Sequence, residues 1–306
     1  LIDKLGFLIA LASARHFGRA AEACGVSQPT LSAGIKSLEE TLGVPLVSRG
    51  ARYHGLTPEG ERTLEWARRI VGDSRSLRAD LDALRLGLTG QMRIAAVPTA
   101  LPAVARLTTP YRARHPGVTF TVLSRTSLEI LDLLENLEID AGVTYLDNEP
   151  LGHARALPLY RETYCLVVGR EHPFARREHV TWAEAGRLPL CLLTPDMQNR
   201  RILDRLLREA GVEVRPALES NSVVVLLSHV RAGGWATIVP AALADGFGGS
   251  TVIRAVPIAS HGLLPSIGLV YGARDPLNPL VAALITETRA NTPTEGNSLG
   301  AVRSVP

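Results

Sequence analysis

Residues 16–50, HFGRAAEACGVSQPTLSAGIKSLEETLGVPLVSRG, hold two helix signals separated by a tight turn. Residues 19–24 form a short helical segment that Gly25 stops. Ser27 is a candidate N-cap, and Pro29 falls in the first turn of the next helix, where its missing N–H would have had no intrahelical partner. Leu31, Ile35, Leu38 and Leu42 then recur at helical spacing, which predicts a helix over about 28–41 with one packed face. Gln28, Thr30, Ser32, Ala33, Lys36 and Ser37 fall on its other faces. Upstream, Leu5, Phe7, Leu8, Ile9, Leu11 and Ala12 predict a first helix ending near residues 16–18. A helix, a glycine turn and a second helix with Ser, Gln, Thr and Lys toward its N-terminus is the helix-turn-helix arrangement. In it, such side chains reach base edges in a major groove. Periodicity alone leaves a plain three-helix bundle open.

The residues that follow extend the pattern. Segments 43–47 and Leu56 bracket a polar stretch, 48–55, that carries Arg49, Arg52 and His54. This is the composition of a β-wing, whose cations contact phosphate and position a domain without reading sequence. Thr57, Pro58 and Glu59 then give an N-cap, a proline at the first helical position and an acid in the first turn. Ile70, Ser74, Leu77, Leu81, Leu84 and Leu88 alternate four and three residues apart, the spacing of a coiled-coil seam. A helix over 58–88 would span about 45 Å, too long for one small domain to cover. A dimerising linker is the favoured reading.

From Gln91 onward, short apolar strands alternate with helices: strands at 92–97, 118–123 and 141–145, with helices at 101–115 and 128–137 between them. Further strands are predicted at 164–168, 190–193, 236–239, 252–255 and 267–271, and helices at 199–210, 222–232 and 280–290. The alternation predicts an α/β unit with a mainly parallel sheet, in two similar halves around a cleft. The tail, 291–306, is polar with Pro and Gly.

Bulk properties set the outer bounds. The chain has 306 residues, about twice the ~150 of a typical domain, which excludes a single small module. Its 46% hydrophobic and 21% charged residues exclude a disordered chain. A net charge of +3 permits nucleic-acid binding without arguing for it. No apolar run approaches the roughly 20 residues of a membrane helix, and no signal-peptide pattern opens the chain, so the expectation is a cytoplasmic protein without a membrane partner. Cys24, Cys165 and Cys191 lack metal-ligand spacing, and the eight histidines are scattered, so neither a metal site nor a disulfide framework is expected. Without GxSxG, GxGxxG, a Walker loop or HExxH, no catalytic residue and no cofactor is expected either.

A cleft is better supported. In α/β sheets, ligands sit beyond the carboxyl ends of strands, where helix N-termini offer free N–H groups. Residues 97–100 end the first strand, 125–127 the second, and Thr144 lies at the end of the third. Gln198 and Asn199 begin a helix in the other half, and 220–222 begin another. Hydroxyls there and a 5% aromatic content favour a small anionic effector, with Arg125 or Arg200 as a possible carboxylate partner.

The run 16–50, followed by GLTPEGERTL at 55–64, closely resembles the winged helix-turn-helix of LysR-type transcriptional regulators. Ala20 and Ala21, the segment 26–32, Ile35, Leu38, Leu42, Gly43, Leu46, Arg49, Leu56, Thr57 and Gly60 carry the resemblance. It implies an N-terminal winged helix-turn-helix over 1–57, a dimerising linker helix over 58–90, and a periplasmic-binding-protein-like effector domain over 91–290. That domain would have one lobe at about 91–161 and 267–290 and the other at about 162–266. Ser27, Gln28, Pro29, Thr30 and Ser32 match the family's base-proximal stretch, Lys36 its helix cation, and Arg49 a wing cation; Arg52 joins the DNA-binding set as a second wing cation. Ala33 and Gly34 depart from the longer polar pair common there, and Gly34 should cost the helix up to ~1 kcal/mol relative to Ala. Pro98, Thr99, Ser127, Thr144 and Asn199 align with pocket positions, and Ala100 adjoins them. The implied partners are double-stranded promoter DNA bearing an inverted repeat, a small-molecule effector, a second copy of the chain in a dimer or tetramer, and RNA polymerase. Likeness in 136–152 and 190–201 suggests a subgroup linked to formate or one-carbon metabolism. The alternative is a cytosolic solute-binding sensor without DNA readout.

Overall fold

The computed structural model describes residues 1–48, 53–147, 149–246, 251–259 and 264–291. Arg49, Arg52 and the tail beyond Asn291 lie outside the described residues.

Three helices build the N-terminal unit: α1 (Ile2–Ala14), α2 (Phe17–Ala23) and α3 (Gln28–Leu42). Their buried Leu5, Leu8, Leu11, Leu31, Ile35 and Leu38 form one core with Ala20, Leu46 and Leu64. His16 caps α2 through its ring nitrogen, Ser27 caps α3, and Gly43 ends α3 at φ 74°, a left-handed conformation that glycine adopts without steric cost. Gly34 is explained by packing: a Cβ there would press into the Phe7 ring of α1. The close approach of α1 and α3 therefore offsets the helix propensity that glycine forfeits. An isolated bridge between Val47 and Leu56, with Ser48 N–H donating to the Gly55 carbonyl at 3.0 Å, pins the base of the wing.

Helix α4 (Pro58–Leu86) runs for 29 residues, about 44 Å. Leu64, Ala67, Val71, Gly72 and Ser76 are buried on one side. Trp66, Ile70, Leu77, Leu81 and Leu84 remain exposed, with Leu77 at 60% and Leu84 at 85%. The seam predicted from sequence is thus an uncovered apolar stripe, with one correction. Leu88 lies beyond the helix and packs, half-buried, on the core of the following unit.

That unit begins with β1 (Gly90–Ala96), a 3₁₀ turn (Pro98–Ala100), α5 (Leu101–Arg114), β2 (Val118–Ser124), α6 (Ser127–Glu135), β3 (Ala141–Tyr145) and β4 (Ala154–Arg161). It continues with β5 (Tyr164–Gly169), α7 (Trp182–Ala185), β6 (Cys191–Leu193), α8 (Gln198–Glu209), β7 (Leu218–Ser220), α9 (Val223–Ala232) and β8 (Thr237–Pro240). The last elements are α10 (Ala241–Asp245), β9 (Ile253–Pro257), β10 (Ser266–Gly272) and α11 (Pro279–Asn291). One lobe is a five-stranded sheet in the order β2-β1-β3-β10-β4. The other contains a three-stranded sheet, β8-β5-β9, and the pair β6-β7, joined by a bridge between Leu190 and Ala236.

The expectation of a mainly parallel sheet needs correction. Strands β1, β2 and β3 are parallel, and so are β6 and β7, but β10 runs antiparallel to both β3 and β4, and β5 is antiparallel to β8 and β9. The cause is the route of the chain. It crosses to the second lobe between Arg161 and Tyr164 and returns at Ser266, so the strands that carry it out and back enter their sheets from opposite ends.

The two units touch through polar contacts set around Leu137, which is buried in the core of the helical unit. Arg68 of α4 pairs with Glu135 and donates to Asn136 Oδ1 at 2.8 Å, and Arg75 donates to the Leu137 carbonyl at 2.8 Å. Ser13 Oγ donates to Glu138 at 2.6 Å. The turn after α6 is therefore gripped by both α4 and α1.

Gly60, in the first turn of α4, lies so close to the Leu46 carbonyl oxygen that a Cβ would overlap backbone, which cannot swing aside. Gly60→Ala is expected to cost about 1–3 kcal/mol in chemical denaturation of the full chain. An unchanged midpoint would mean that the wing and α4 can part there without loss.

Candidate functional site

Two surfaces concentrate the chemistry. The first is the outer face of α3. Gln28, Pro29, Thr30, Ser32, Ala33 and Lys36 are exposed, while Leu31, Ile35 and Leu38 face inward. Ser27 is exposed as well, but its Oγ accepts from Thr30 N–H at 3.3 Å and lies 2.8 Å from Thr30 Oγ1. It is first a helix cap, and it shares its free valence with Thr30. Lys36 lies 3.9 Å from Glu40, both well exposed, a loose surface pair that leaves the ammonium free to exchange partners. Gln28 and Ser32 therefore project from the first two turns with uncommitted polar ends. A major groove would meet these turns first.

The second surface lies between the lobes. Strands β2, β1 and β3 are parallel neighbours, so their carboxyl ends share one edge. The chain leaves β1 to one side for β2 and to the other for β3, which makes a topological switch point. Pro98, Thr99 and Ala100 follow β1, Ser127 opens α6 after β2, and Thr144 sits in β3; all are buried. From the other lobe, the N-terminus of α8 brings Gln198 and Asn199. Met197, its N-cap, contributes no side-chain hydrogen bond, so the N–H groups of the first turn of α8 have neither a capping side chain nor an intrahelical acceptor.

A hydrogen-bond chain crosses between the two lobes, beside the Arg201–Glu149 ion pair and an apolar core that runs through both. Asn199 Nδ2 donates across the cleft to Tyr145 Oη at 3.0 Å, Thr99 Oγ1 lies 3.4 Å from the same oxygen, and Tyr145 donates to Glu162 Oε2 at 2.6 Å. Tyr164 donates to that same carboxylate oxygen at 2.8 Å. Glu162 sits in the crossover between β4 and β5, 1% exposed. Burial pushes its carboxyl up to about 7 from the usual value near 4.5, against the opposing effect of the two phenol donors. The same burial and the neighbouring carboxylate push Tyr145 and Tyr164 well above the ordinary phenol range.

Several buried polar atoms of the two lobes lack a partner among the described residues: Ser127 Oγ, Thr144 Oγ1, Thr194 Oγ1, Glu162 Oε1 and both amide ends of Gln198. Buried polar groups are ordinarily paired, because an unmade hydrogen bond there costs about 1–3 kcal/mol. Ser127 and Thr144 lie along the β2-β1-β3 edge, Thr194 and Gln198 near the start of α8, and Glu162 in the crossover. Thr99 and Asn199 thus share Tyr145 as a hydrogen-bond partner, and Ser127 and Thr144 lie buried on the same side of the sheet, with Pro98 and Ala100 beside Thr99. The structure adds Tyr145 and Glu162, and sets Thr194 beside Gln198, the residue that opens α8. Glu162 is legible in sequence only as a lone acid between two strands.

The candidate carboxylate partners fare differently. The Arg200 guanidinium is held by Asp204 at 2.8 Å, Glu219 at 2.5 Å and the Leu193 carbonyl at 2.8 Å, which corrects its assignment as an effector ligand. Arg201 pairs with Glu149, and Arg125 donates to the Ser124 carbonyl. Arg200 is therefore committed to acids of its own lobe, whereas Arg125 has no acid partner among the described residues.

Comparison with known proteins agrees with this layout. The family model for the bacterial regulatory helix-turn-helix protein, lysR family, matches residues 2–61, and that for the LysR substrate binding domain matches residues 85–293. The DNA-binding transcriptional dual regulator OxyR of Escherichia coli K12 is 28% identical over 290 residues, covering 94% of this chain and 95% of its own. A probable hydrogen peroxide-inducible genes activator of Streptomyces viridosporus is 33% identical over 239 residues, covering 76% and 75%. A full-length OxyR variant from Pseudomonas aeruginosa has the same fold, with a TM-score of 0.73 at 23% identity, covering 94% and 97%. With a helix-turn-helix at one end, a two-lobed α/β unit at the other and both family models matched, the chain belongs to the LysR family of DNA-binding transcription regulators rather than to any class of enzyme.

Proposed function

We propose that this regulator reads an interrupted inverted repeat through α3 and responds to a small anionic effector held between its lobes. The observation that carries the effector reading is the set of unpartnered buried polar atoms along the strand edge, in the crossover and near the uncapped N-terminus of α8. In this reading, residues 1–57 dock on DNA, 58–90 link and dimerise, and 91–290 sense, with lobes at about 91–161 plus 267–290 and at 162–266. Gln28, Thr30 and Ser32 contact base edges, Ser27 and Pro29 set the helix start against the backbone, and Lys36, Arg49 and Arg52 contact phosphate. Pro98, Thr99, Ala100, Ser127, Thr144 and Asn199 surround the effector. The exposed stripe of α4 pairs two copies, so a twofold protein meets a twofold site. RNA polymerase is the further partner this reading assigns, and the cytoplasm its location; no described helix is long and apolar enough to cross a membrane.

Helix α6 gives the cleft a route to the DNA-binding unit. Its N-terminal Ser127 faces the effector site, and the residues at its C-terminal end, Glu135 and Asn136, are gripped by Arg68 of α4. A ligand that favours one lobe arrangement through Ser127 biases the placement of α4, provided that it binds the two arrangements with different affinity. Formate and other small carboxylates head the set of effectors to test, on the subgroup that the residues 136–152 and 190–201 suggest. The solute-binding alternative leaves the exposed polar face of α3 without a role.

Selection of bound fragments from the source genome at near-physiological salt, where nonspecific phosphate binding is suppressed, tests the DNA reading. Enrichment of an interrupted inverted repeat supports it, and failure of a folded dimer to enrich any sequence refutes it. On that site Gln28→Ala is expected to lose about 1–3 kcal/mol of base discrimination, whereas Arg49→Ala should weaken all sequences alike and flatten the salt dependence. Equal loss on specific and random DNA would remove Gln28 from the base-reading set.

The peroxide response named for some relatives is not assigned to this chain. Thiol sensing requires thiolate, and burial pushes all three thiols up, Cys165 to about 11. Hydrogen peroxide is expected to leave binding to the selected DNA unchanged in a mobility-shift titration. A peroxide-dependent change reversed by a thiol reductant would overturn that exclusion.

A further inference from the structure

Glu162 is the one carboxyl in the inter-lobe hydrogen-bond chain, and it stands within two hydrogen bonds of Thr99 and Asn199, on opposite walls of the cleft. An anion entering there meets helix N–H groups and hydroxyls, but also a buried carboxyl that no cation among the described residues balances. Among the described residues the groups facing Glu162 are phenols: Tyr145 from β3, Tyr164 from β5 and, at longer range, Tyr160 from β4. Arg106 of α5 lies 5.4 Å above the Tyr160 ring and acts on Tyr160, not on the carboxyl directly. Helix α7 contributes Trp182 against Tyr164, and α8 contributes the neutral Asn199, its Arg200 being tied to Asp204 and Glu219. Glu162 Oε2 already accepts from two phenols, while Oε1 is buried without a partner. A proton therefore has an atom to occupy that leaves both tyrosine contacts intact.

We propose that Glu162 sets the charge of the ligand the cleft accepts: a small carboxylate enters together with one proton, which Glu162 takes up on Oε1. The proposal rests on the anionic-effector reading above and deepens it. It makes Glu162 a specificity-determining residue, because the pair enters with no net change in buried charge. A dianion would add a second uncompensated charge and is excluded. The proton comes from solvent or buffer, and no bond other than O–H is made or broken.

The test is titration calorimetry of the full-length protein with formate, acetate, propionate and benzoate at pH 6 and pH 8, each in two buffers of different ionisation enthalpy. A carboxylate that binds should do so about tenfold more weakly at pH 8 than at pH 6, the ratio of protonated fractions for a group titrating near 7. The buffer comparison at pH 8 should show uptake of close to one proton per site. Glu162→Gln, which keeps an acceptor for both phenols but cannot titrate, should bind the same carboxylate with an affinity independent of pH. The proton-uptake measurement uses the unaltered protein, so it decides the matter even if that variant fails to fold. Equal affinity at both pH values without proton uptake overturns the coupling and leaves the anionic reading standing. Binding of none of the four carboxylates at either pH overturns the anionic reading, and the coupling with it.

Discussion

A carboxyl group taken out of water must find donors or keep its proton, and Glu162 sits where both lobes supply the donors. Tyr145 comes from the last residue of β3 in one sheet and Tyr164 from the first residue of β5 in the other, and both donate to one oxygen. The crossover itself is fixed by Glu162 N–H, which donates to the Pro265 carbonyl on the returning segment at 2.8 Å. The lobes are thus joined at their hinge by a polar knot set beside an apolar core that runs through both of them. Apolar contact would resist opening in proportion to area, whereas a few directional bonds can be exchanged for bonds to a guest. The native state holds the Glu162 proton more tightly than the unfolded chain does. Its contribution to stability is therefore complete below about pH 4.5 and is lost as pH rises through about 7.

Polar fastenings also hold the joint between the sensing and DNA-binding units, around Leu137 buried in the helical core. Leu137, at φ 62°, turns the chain after α6 so that its carbonyl accepts from Arg75 at 2.8 Å and from Arg93 at 3.0 Å. Glu135, Asn136 and Glu138 on either side bind Arg68 and Ser13. Four successive residues thus fasten one end of α6 to two helices of the other unit. Because α6 is only nine residues long, roughly 13 Å by helical rise, its other end reaches the cleft without an intervening flexible segment.

The helices of this chain were legible because their signals are local: Ser27, Thr57 and Thr126 each accept a first-turn N–H, and apolar residues three and four apart mark the buried faces. Strand direction was less legible. Strand β4, with Pro158 in its middle and exposed residues along much of its length, carries no apolar run, and its antiparallel pairing with β10 joins residues more than a hundred positions apart. The hydroxyls of the cleft could be placed because strand ends and helix starts are visible in sequence. The partners that give them meaning could not. Whether Arg200 is free or bound depends on Glu219 arriving from β7, and whether Glu162 is exposed or buried depends on the return of the chain at Pro265.

This dependence on distant partners also separates the chain from a simple cationic anion trap. Arginine would fix a carboxylate strongly and without regard to pH, but here the nearby guanidinium is bound by two acids of its own lobe. What remains toward the cleft is weaker and more selective: hydroxyls and amides that fit a compact polar guest, N–H groups at the start of α8, and one titratable acid. A site of this kind gains discrimination from the cost of leaving its buried groups unpaired when the wrong guest enters, and that cost grows with each orphaned atom. Six such atoms fall within the proposed site among the described residues, including both ends of the Gln198 amide, itself 2% exposed. A guest that presents one donor and one acceptor to that amide is therefore favoured over any guest that presents only one of them.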